Sequence, residues 1–463
     1  MMNTIWRPDL AQFPGPKYQA LARALREAIR TGELPEGAQL PPVRDLAWAL
    51  GITPGTVARA YGLVTQEGML SGEVGRGTFV AARHRPVGPR QALMAEPRGA
   101  ALVDMRTPQL PDLGQGAALA ERLAAVARGP GAWLDYPGPR AEAPLRAAVV
   151  GWLGSCEMGP LTADDIALVS GGQHGILTVL LCCLRGDRPV VAIEDLAYPG
   201  FRHAIRLARA EPLGLEMDDQ GVIPAAFDAA CRARDVQALC LTPDGQNPTA
   251  ARMGAERRAQ IAALARRHDV MVIEDDCYDM GACDLPSLRA LAPERVWHVA
   301  SLSKAVSPAL RFGFVVCPAG LGEAGRLTVQ HACYGLARPV ADLVLDLLTT
   351  GTAAAIRRQV QDEVARRLQA ILNRLGRFDL RWQPGLPFVW LRLPLGWRAS
   401  TFLRVAEGEG ILLRSADEYA LAEGRAPNAV RLALAGAVPA ARFEAALDRL
   451  VQLLDAPPRD LSA

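Results

Sequence analysis

The sequence is short of lysine, of long apolar runs and of paired cysteines. No run of about 18 apolar residues lacks a charge, and no basic-then-apolar leader is present, so we expect a cytoplasmic protein without a membrane span. The nine cysteines include no C-x-x-C pair, so we predict no metal site. Apolar residues make up 50% of the 463 residues, which is enough for a large buried core.

The scarcity of lysine is the most informative of these features. Only two of the 51 basic residues are lysines, Lys17 and Lys304. Arginine stays protonated in proteins, whereas a neutral lysine amine can form an imine with an aldehyde. Lys17 stands among polar residues and is expected to be solvated. Lys304 is therefore the candidate for amine chemistry.

The first 81 residues predict three helices and a β-hairpin. Apolar residues recur every fourth position over 17–30, a second helix follows Pro41-Pro42, and a third begins after Thr53, a good N-cap. Two short strands flank a glycine-rich turn at 72–77. This order of elements predicts a helix-turn-helix unit with a hairpin wing.

The segment LPPVRDLAWALGITPGTVARAYGLVTQEGMLSGEVGRGTFVA, residues 40–81, resembles the winged helix of the GntR regulators. Residues 1–85 hold ten basic and seven acidic residues, a difference of +3 that is compatible with DNA contact. The resemblance implies a DNA-binding domain over 1–81. It also implies that the DNA contacts come from Arg44, Thr56, Arg59, Arg76 and Gly77. The alternative is a three-helix unit that serves protein contacts.

The rest of the chain differs from the first 81 residues in composition and in hydrophobic pattern. Residues 82–100 hold three prolines and four arginines without an apolar period, which predicts a linker. Short β-rich runs then alternate with helical stretches, so we predict an α/β fold with a mostly parallel sheet. These runs are 166–170, 190–193, 238–242, 270–275, 296–300 and 312–317. From about residue 355 a long helix, short strands and a closing helix predict a smaller α+β lobe.

Lys304 stands in the segment SLSKAVSPALRFGFV. Ser301 and Ser303 precede it, and Arg311 follows seven residues later. An imine needs a neutral amine, and a neighbouring phosphate needs hydroxyl and guanidinium donors. The pattern is similar to the pyridoxal 5′-phosphate (PLP) lysine motif of the fold-type I aminotransferases. The resemblance implies a Schiff base between Lys304 and PLP, with the two serines and the arginine also binding the cofactor.

The other motifs of those aminotransferases follow in the expected order. The resemblance implies that Asp275, in VIEDDCY, keeps the ring nitrogen protonated, which makes the ring an electron sink. It also implies that Tyr278, in the same motif, and Asn247, in DGQNPTA, bind the phenolic oxygen of the ring.

The remaining implied contacts surround the ring, the phosphate and the substrate. The glycine-rich SGGQHG, between a strand and a helix, assigns Gly172 and Gln173 to the phosphate. Tyr198 corresponds to the aromatic residue that stacks on the ring. Tyr136 corresponds to a tyrosine that reaches the phosphate of the neighbouring subunit. Arg431, in NAVRLAL, corresponds to the arginine that binds the substrate or effector carboxylate.

A winged helix followed by an aminotransferase-like domain, here over 101–463, resembles the MocR subgroup of the GntR family. The resemblance implies a PLP-dependent transcriptional regulator that binds a promoter operator and an amino-acid or amine effector. It also implies a head-to-tail homodimer. One alternative is an active PLP-dependent aminotransferase with an appended DNA-binding domain, which the D-x-x-Y spacing around Cys277 leaves open. The other is a regulator whose large domain is only a dimerisation scaffold.

Overall fold

The computed structural model describes residues 6–13, 15–73, 77–81, 102–129, 133–134, 136–278, 284–421 and 424–456. The chain divides into two compact units, Met1–Arg90 and Gln91–Ala463. The expected linker, 82–100, and the expected DNA contact Arg76 both lie outside the described residues.

The N-terminal unit packs helices against a β-hairpin. Its elements are α1 (Lys17–Thr31), α2 (Val43–Leu50), α3 (Pro54–Gln66), β1 (Leu70–Glu73) and β2 (Gly77–Val80). The two strands pair antiparallel. Leu21, Leu25 and Val57 are fully buried in its core, so the apolar stripe of the first helix is confirmed. Thr53 accepts a hydrogen bond from the backbone N–H of Thr56 and caps α3, as predicted.

The C-terminal unit contains the remaining elements. Its helices are α4 (Gln115–Ala127), α5 (Pro139–Trp152), α6 (Gly172–Cys183), α7 (Pro199–Leu207), α8 (Pro224–Ala233), α9 (Ala255–Arg267), α10 (Leu288–Leu291), α11 (Gly322–Cys333), α12 (Arg338–Thr349), α13 (Thr352–Leu375), α14 (Ala399–Gly408) and α15 (Ala440–Asp455). Its strands are β3 (Val103–Asp104), β4 (Ile166–Val169), β5 (Val190–Glu194), β6 (Glu211–Leu215), β7 (Met217–Asp218), β8 (Gly221–Val222), β9 (Val236–Leu241), β10 (Met271–Asp275), β11 (Val296–Ser301), β12 (Gly313–Val316), β13 (Leu380–Arg381), β14 (Phe388–Arg392), β15 (Ile411–Leu412), β16 (Arg414–Ser415) and β17 (Ala429–Ala433).

A seven-stranded sheet forms the centre of this unit, in the order β4-β12-β11-β10-β9-β5-β6. Every pairing is parallel except those of β12, which runs antiparallel to β11 and β4. A second sheet, β13-β14-β17-β16, is antiparallel. The predicted α/β architecture with a smaller α+β part is therefore confirmed.

The central strands are buried from end to end. Every residue of β4, β5 and β11 is buried, as expected where helices cover both faces of a sheet and its strands are mostly apolar. The short pairs β3–β15 and β7–β8 lie outside the two larger sheets. Within the described part of the chain, no single helix is long and apolar enough to cross a bilayer; by length and composition only, α12 and α13 meet that criterion together, as a pair bent by 76°.

Candidate functional site

The expected cofactor residues collect at the carboxyl edge of the seven-stranded sheet. Gly172 follows β4, Tyr198 follows β5 and Asn247 follows β9, while Asp275 and Ser301 are the last residues of β10 and β11. Ligands of open α/β sheets bind outside this edge, where strand ends and helix N-termini meet. The fold therefore brings together residues that are more than 100 positions apart in sequence.

Lys304 lies beside this edge with its amine buried. Its Nζ donates a hydrogen bond to the carbonyl oxygen of Pro108 at 2.6 Å. Burial, and to a smaller extent the positive charge of Arg431, lower the pKa of Lys304 to about 8. A cavity of about 20 Å³ borders Lys304 and Tyr278. An appreciable fraction of the amine is thus neutral near pH 7 to 8, as imine formation requires.

The first turn of α6 and Arg311 face each other. Arg311 donates from its guanidinium to the carbonyl oxygen of Ser170 at 2.9 Å. Gly171 has φ +87°, and a Cβ there would lie 2.6 Å from that guanidinium. A Cβ on Gly172 would lie 2.2 Å from the Cys277 sulfur. Position 171 therefore requires glycine, and a side chain at position 172 would force Cys277 to move. The free N–H groups of a helix N-terminus beside an arginine form an anion-binding arrangement.

Acidic and phenolic groups follow strand β10 in the same site. Asp275 is buried, and burial raises the pKa of its carboxyl group. The backbone N–H of Cys277 donates to Asp275 Oδ1 at 3.1 Å. Asn247 Nδ2 donates to Tyr278 Oη at 2.9 Å, and burial raises the pKa of the Tyr278 hydroxyl. The expected partners of the ring nitrogen and of the phenolic oxygen are thus both present at this edge.

Gln173 and Tyr198 lie next to each other. Gln173 Nε2 donates to the carbonyl oxygen of Gly200 at 2.9 Å, and Gly200 is in close contact with both side chains. Gln173 Oε1 is buried and has no hydrogen-bond partner among the described residues. Burial raises the pKa of Tyr198, and the charge of Asp275 acts in the same direction. Ser303 precedes Lys304 in the chain, and its backbone N–H lies 3.4 Å from Ser301 Oγ.

Arg431 joins this site from the second sheet. Its guanidinium donates to Asn247 Oδ1 at 2.8 Å and to the carbonyl oxygen of Arg106 at 2.5 Å. Its Cζ lies 5.0 Å from the ring centroid of Phe388 and 5.2 Å from that of Tyr419. The two rings hold the planar group in place, so an arginine 184 positions from Asn247 becomes its direct neighbour.

Tyr136, the residue expected to reach the phosphate of a neighbouring subunit, lies at the surface of its own chain. It is 81% exposed. Its ring lies 5.3 Å from that of Tyr334, which is also exposed.

The expected DNA contacts that the structure describes belong to the N-terminal unit. Arg44 on α2 and Arg59 on α3 are exposed. The Arg59 guanidinium lies 4.1 Å from the ring centroid of Tyr18. Thr56 Oγ1 lies 2.9 Å from Thr53 Oγ1, so its hydroxyl belongs to the cap of α3. Gly77, at the start of β2, has φ +119°.

Several site residues have no motif that would have revealed them. Pro108 contacts the lysine, and Arg106 contacts Arg431, through backbone carbonyls, which leave no trace in the residue type. Tyr419 and Arg414 lie near Arg431 only because β16 pairs with β17. Among the described residues, no cluster of three His, Cys, Asp or Glu side chains is arranged to hold a metal ion.

Comparison with known proteins first defines the class. Residues 105–450 match the family "Aminotransferase class I and II", and residues 17–80 match "Bacterial regulatory proteins, gntR family". The match and the fold define a fold-type I aminotransferase-like protein with a helix-turn-helix ahead of it. The chain belongs to the class I and II aminotransferase family and, with its GntR domain, to the MocR-type regulators.

Relatives of similar layout support that assignment. The HTH-type transcriptional regulator YdeF of Bacillus subtilis is 28% identical over 97% of both chains. The pyridoxine biosynthesis regulator PdxR of Corynebacterium glutamicum is 28% identical over 74% of each. The probable rhizopine catabolism regulatory protein MocR of Rhizobium meliloti is 24% identical over 86% of this chain and 85% of its own.

Solved structures show the same large fold. LysN, an alpha-aminoadipate aminotransferase of Thermus thermophilus, has a TM-score of 0.67 at 26% identity, covering 77% of this chain and 92% of its own. A kynurenine aminotransferase of Pyrococcus horikoshii has a TM-score of 0.68 at 20% identity, covering 79% and 92%. The C-terminal unit therefore has the fold of the PLP-dependent aminotransferases.

Proposed function

We propose that this protein is a cytoplasmic, PLP-dependent transcriptional regulator. Its winged helix binds a promoter operator, and its C-terminal unit binds PLP and an amino-acid or amine effector that changes operator binding. The observation that carries the proposal is the buried Lys304 amine, whose pKa of about 8 leaves it partly neutral among the residues that a PLP site needs.

The side chains at the sheet edge fit the cofactor. Gly172 is part of a cradle that any Cβ would fill, and Gln173 Oε1 is buried without a partner among the described residues. When bound, PLP supplies an aldehyde for the lysine amine and an electron-withdrawing ring. We assign the phosphate to Arg311, Ser301, Ser303, Gly172 and Gln173.

The ring would be held from its edges and one face. Asp275 would bind the ring nitrogen and favour its protonated form, because a buried carboxylate is stabilised by a proton donor. Asn247 and Tyr278 bind the phenolic oxygen, and their mutual bond of 2.9 Å keeps them oriented for that role. Tyr198 would stack on the ring. Arg431, held between two aromatic rings, binds the effector carboxylate.

We propose a head-to-tail homodimer. Tyr136 is 81% exposed, which is the setting expected if it serves the phosphate of a second copy. The domain limits that we propose are 1–81 for the DNA-binding domain, 82–100 for the linker and 101–463 for the PLP-binding domain, with a small lobe from about 355.

The alternative is an active aminotransferase with a regulatory appendage. The D-x-x-Y spacing of Asp275 and Tyr278 favours it, whereas relatives that span both domains are named as regulators. Turnover of an amino acid with 2-oxoglutarate, measured on the chain without its winged helix, separates the two. We expect at most slow half-reactions, and sustained turnover would favour the enzyme.

The cofactor claim has a direct test. We expect purified protein to take up PLP and to acquire visible absorption that Lys304→Ala lacks. We expect loaded protein to bind DNA from the region upstream of its own gene with an affinity that changes on adding amino acids. A colourless protein that takes up no PLP would favour a C-terminal unit that is only a dimerisation scaffold.

A further inference from the structure

We propose that Arg414 and Tyr419 form a second anion subsite beside Arg431, so that the effector is a dicarboxylic amino acid. The proposal rests on the proposed function and extends it, because it names the class of the effector. Arg431 would bind the α-carboxylate, and the second subsite would bind the side-chain carboxylate.

The two arginines are direct neighbours on one face of the second sheet. Arg414 of β16 is the register partner of Arg431 of β17, and residues directly opposite in an antiparallel pair project to the same face. Trp390 of β14 is the register partner of Arg431 on its other side. Like charges directly opposite each other are destabilising. An anion bound between the two guanidiniums removes that repulsion.

Three polar groups here lack an acceptor or donor. Arg431 is 3% exposed and Tyr419 is 2% exposed. Arg431 Nε, Arg414 Nε and Tyr419 Oη are buried, and none makes a hydrogen bond of good geometry among the described residues. The Arg414 guanidinium is near enough to the Tyr419 hydroxyl to lower the pKa of that group, against the effect of burial. A buried polar group without a partner destabilises the fold. Two N–H donors and one hydroxyl are therefore available to carboxylate oxygens.

The surrounding charges leave the subsite positive. Glu418 Oε2 is 3.6 Å from Arg414 Nε, and that carboxylate side chain is 47% exposed. Asp104 is already paired with Arg106, at 2.6 Å. Within the described part of the chain, Arg202 donates only to the carbonyl oxygens of Ala420 and Glu418. The four guanidiniums of Arg106, Arg202, Arg414 and Arg431 thus stand against the three carboxylates of Asp104, Glu407 and Glu418, a difference of +1.

The subsite adjoins the proposed ring-binding site. The positive charge of Arg414 opposes the rise in pKa that burial causes at Tyr198 and at Tyr419. Arg431 in turn bonds Asn247, which bonds Tyr278. A molecule whose amine is near Lys304 and whose α-carboxylate is on Arg431 would therefore meet Arg414 and Tyr419 with its other end.

The test compares acids with their amides. PLP-loaded, full-length protein is titrated calorimetrically with L-glutamate, L-glutamine, L-aspartate and L-asparagine. We expect at least one acid to bind about tenfold or more tightly than its amide, since a charge-assisted hydrogen bond contributes about 1.5–3 kcal/mol. Arg414→Gln should bring that ratio to within about twofold, and Arg414→Lys should restore part of it.

Controls separate a binding role from a structural one. Arg392, exposed on β14 of the same sheet, provides the matched control, and Arg392→Gln should leave the ratio unchanged. The acid-to-amide affinity ratio is unaffected by a general loss of folded protein. Tyr419→Phe should also lower this ratio, and it provides the test if Arg414→Gln does not fold. Equal binding of acids and amides by the wild type, or an unchanged ratio in Arg414→Gln, would overturn the subsite and leave the amino-acid effector standing. Failure of every amino acid to bind the loaded protein would overturn both.

Discussion

At the scale of single residues, Lys304 shows how burial selects a protonation state. Its ammonium form is disfavoured first by burial and then by the charge of Arg431, which together lower its pKa to about 8. An exposed lysine, with a pKa near 10.4, would be almost wholly protonated at neutral pH. The low pKa makes the amine available, and Arg431 contributes to it besides its proposed contact with the effector.

The lowered pKa of Lys304 sets the pH dependence of cofactor attachment. Because only the neutral amine condenses, the rate of attachment should rise with pH and level off above about pH 8. Arg431→Gln removes a cationic neighbour, so the Lys304 pKa should rise and the midpoint should move to higher pH. Stopped-flow absorbance after mixing with PLP measures both profiles, with Arg392→Gln as the unaffected control. A wild-type midpoint near pH 10 would contradict the burial of this amine.

Asp275 leads to a second prediction at the same scale. Asp275→Asn should still bind PLP, since the phosphate contacts remain, but a neutral amide holds the ring-nitrogen proton poorly. Any half-reaction with an amino acid should therefore slow by roughly a hundredfold or more, the scale of a missing proton-transfer or charge partner. Single-turnover spectroscopy follows it, and Asp276→Asn is the neighbouring control. Unchanged half-reaction rates in Asp275→Asn would remove the residue from this role.

At the scale of the element, strand β10 separates two acids by its pleat. Asp275 belongs to the carboxyl edge, whereas Glu274 accepts hydrogen bonds from the backbone N–H groups of Leu288 and Arg289, at 2.8 and 3.2 Å. His298 Nδ1 lies 3.2 Å from Glu274 Oε2. Burial opposes ionisation of Glu274, but His298, the N–H of Leu288 and the charge of Arg258 together lower the pKa of Glu274. Burial likewise opposes protonation of His298, but Glu274 and the charges of Asp276 and Asp244 together raise the pKa of His298.

Glu274→Gln should accordingly destabilise the fold. Removing one partner of a buried ion pair costs about 3–5 kcal/mol, whereas Asp269→Asn, at a largely exposed carboxylate paired with Arg295, should cost less than about 1 kcal/mol. The difference in free energy of unfolding between wild type and Glu274→Gln should shrink as pH rises through the raised pKa of His298. It should also shrink as pH falls through the lowered pKa of Glu274. Urea unfolding at several pH values measures it. Equal destabilisation of the two variants would mean that the buried pair of Glu274 and His298 contributes no more to stability than an exposed ion pair.

The elements also show what the sequence could and could not predict. Short motifs predict which strand ends carry Asp275, Ser301 and Asn247, because each motif lies within one strand and its following loop. Strand pairing between distant segments is invisible to such motifs. The pairing of Arg414 with Arg431, and the contact of Lys304 with a backbone carbonyl 196 residues away, appear only in the folded chain.

At the scale of the whole molecule, the two units carry separate tasks, so their variants should separate too. Arg59→Ala should weaken operator binding and lower the salt slope by about 0.9 for each phosphate that the protein no longer neutralises, while PLP uptake stays unchanged. Removing the guanidinium from the Tyr18 ring should cost only about 0.5–1 kcal/mol of stability. Arg30→Ala, at an exposed arginine of α1 that pairs with Glu27, is the control for removing a charge. Fluorescence anisotropy across a salt series reports the slopes. Dissociation of a dimer by Arg59→Ala would instead assign α3 to protein contacts.

The measurement that tests the central claim most directly is operator binding by wild type, Lys304→Ala and Lys304→Arg, with and without PLP and L-glutamate. A labelled fragment from the region upstream of its own gene is titrated by anisotropy. We predict that PLP with the amino acid shifts the wild-type midpoint by about fivefold or more, the scale of a 1 kcal/mol coupling. Both variants should bind DNA without cofactor as the wild type does and should show no shift, because neither alanine nor a protonated guanidinium can condense with the aldehyde. A full shift in Lys304→Ala would contradict the account, since the C-terminal unit would then respond without covalent chemistry at this lysine.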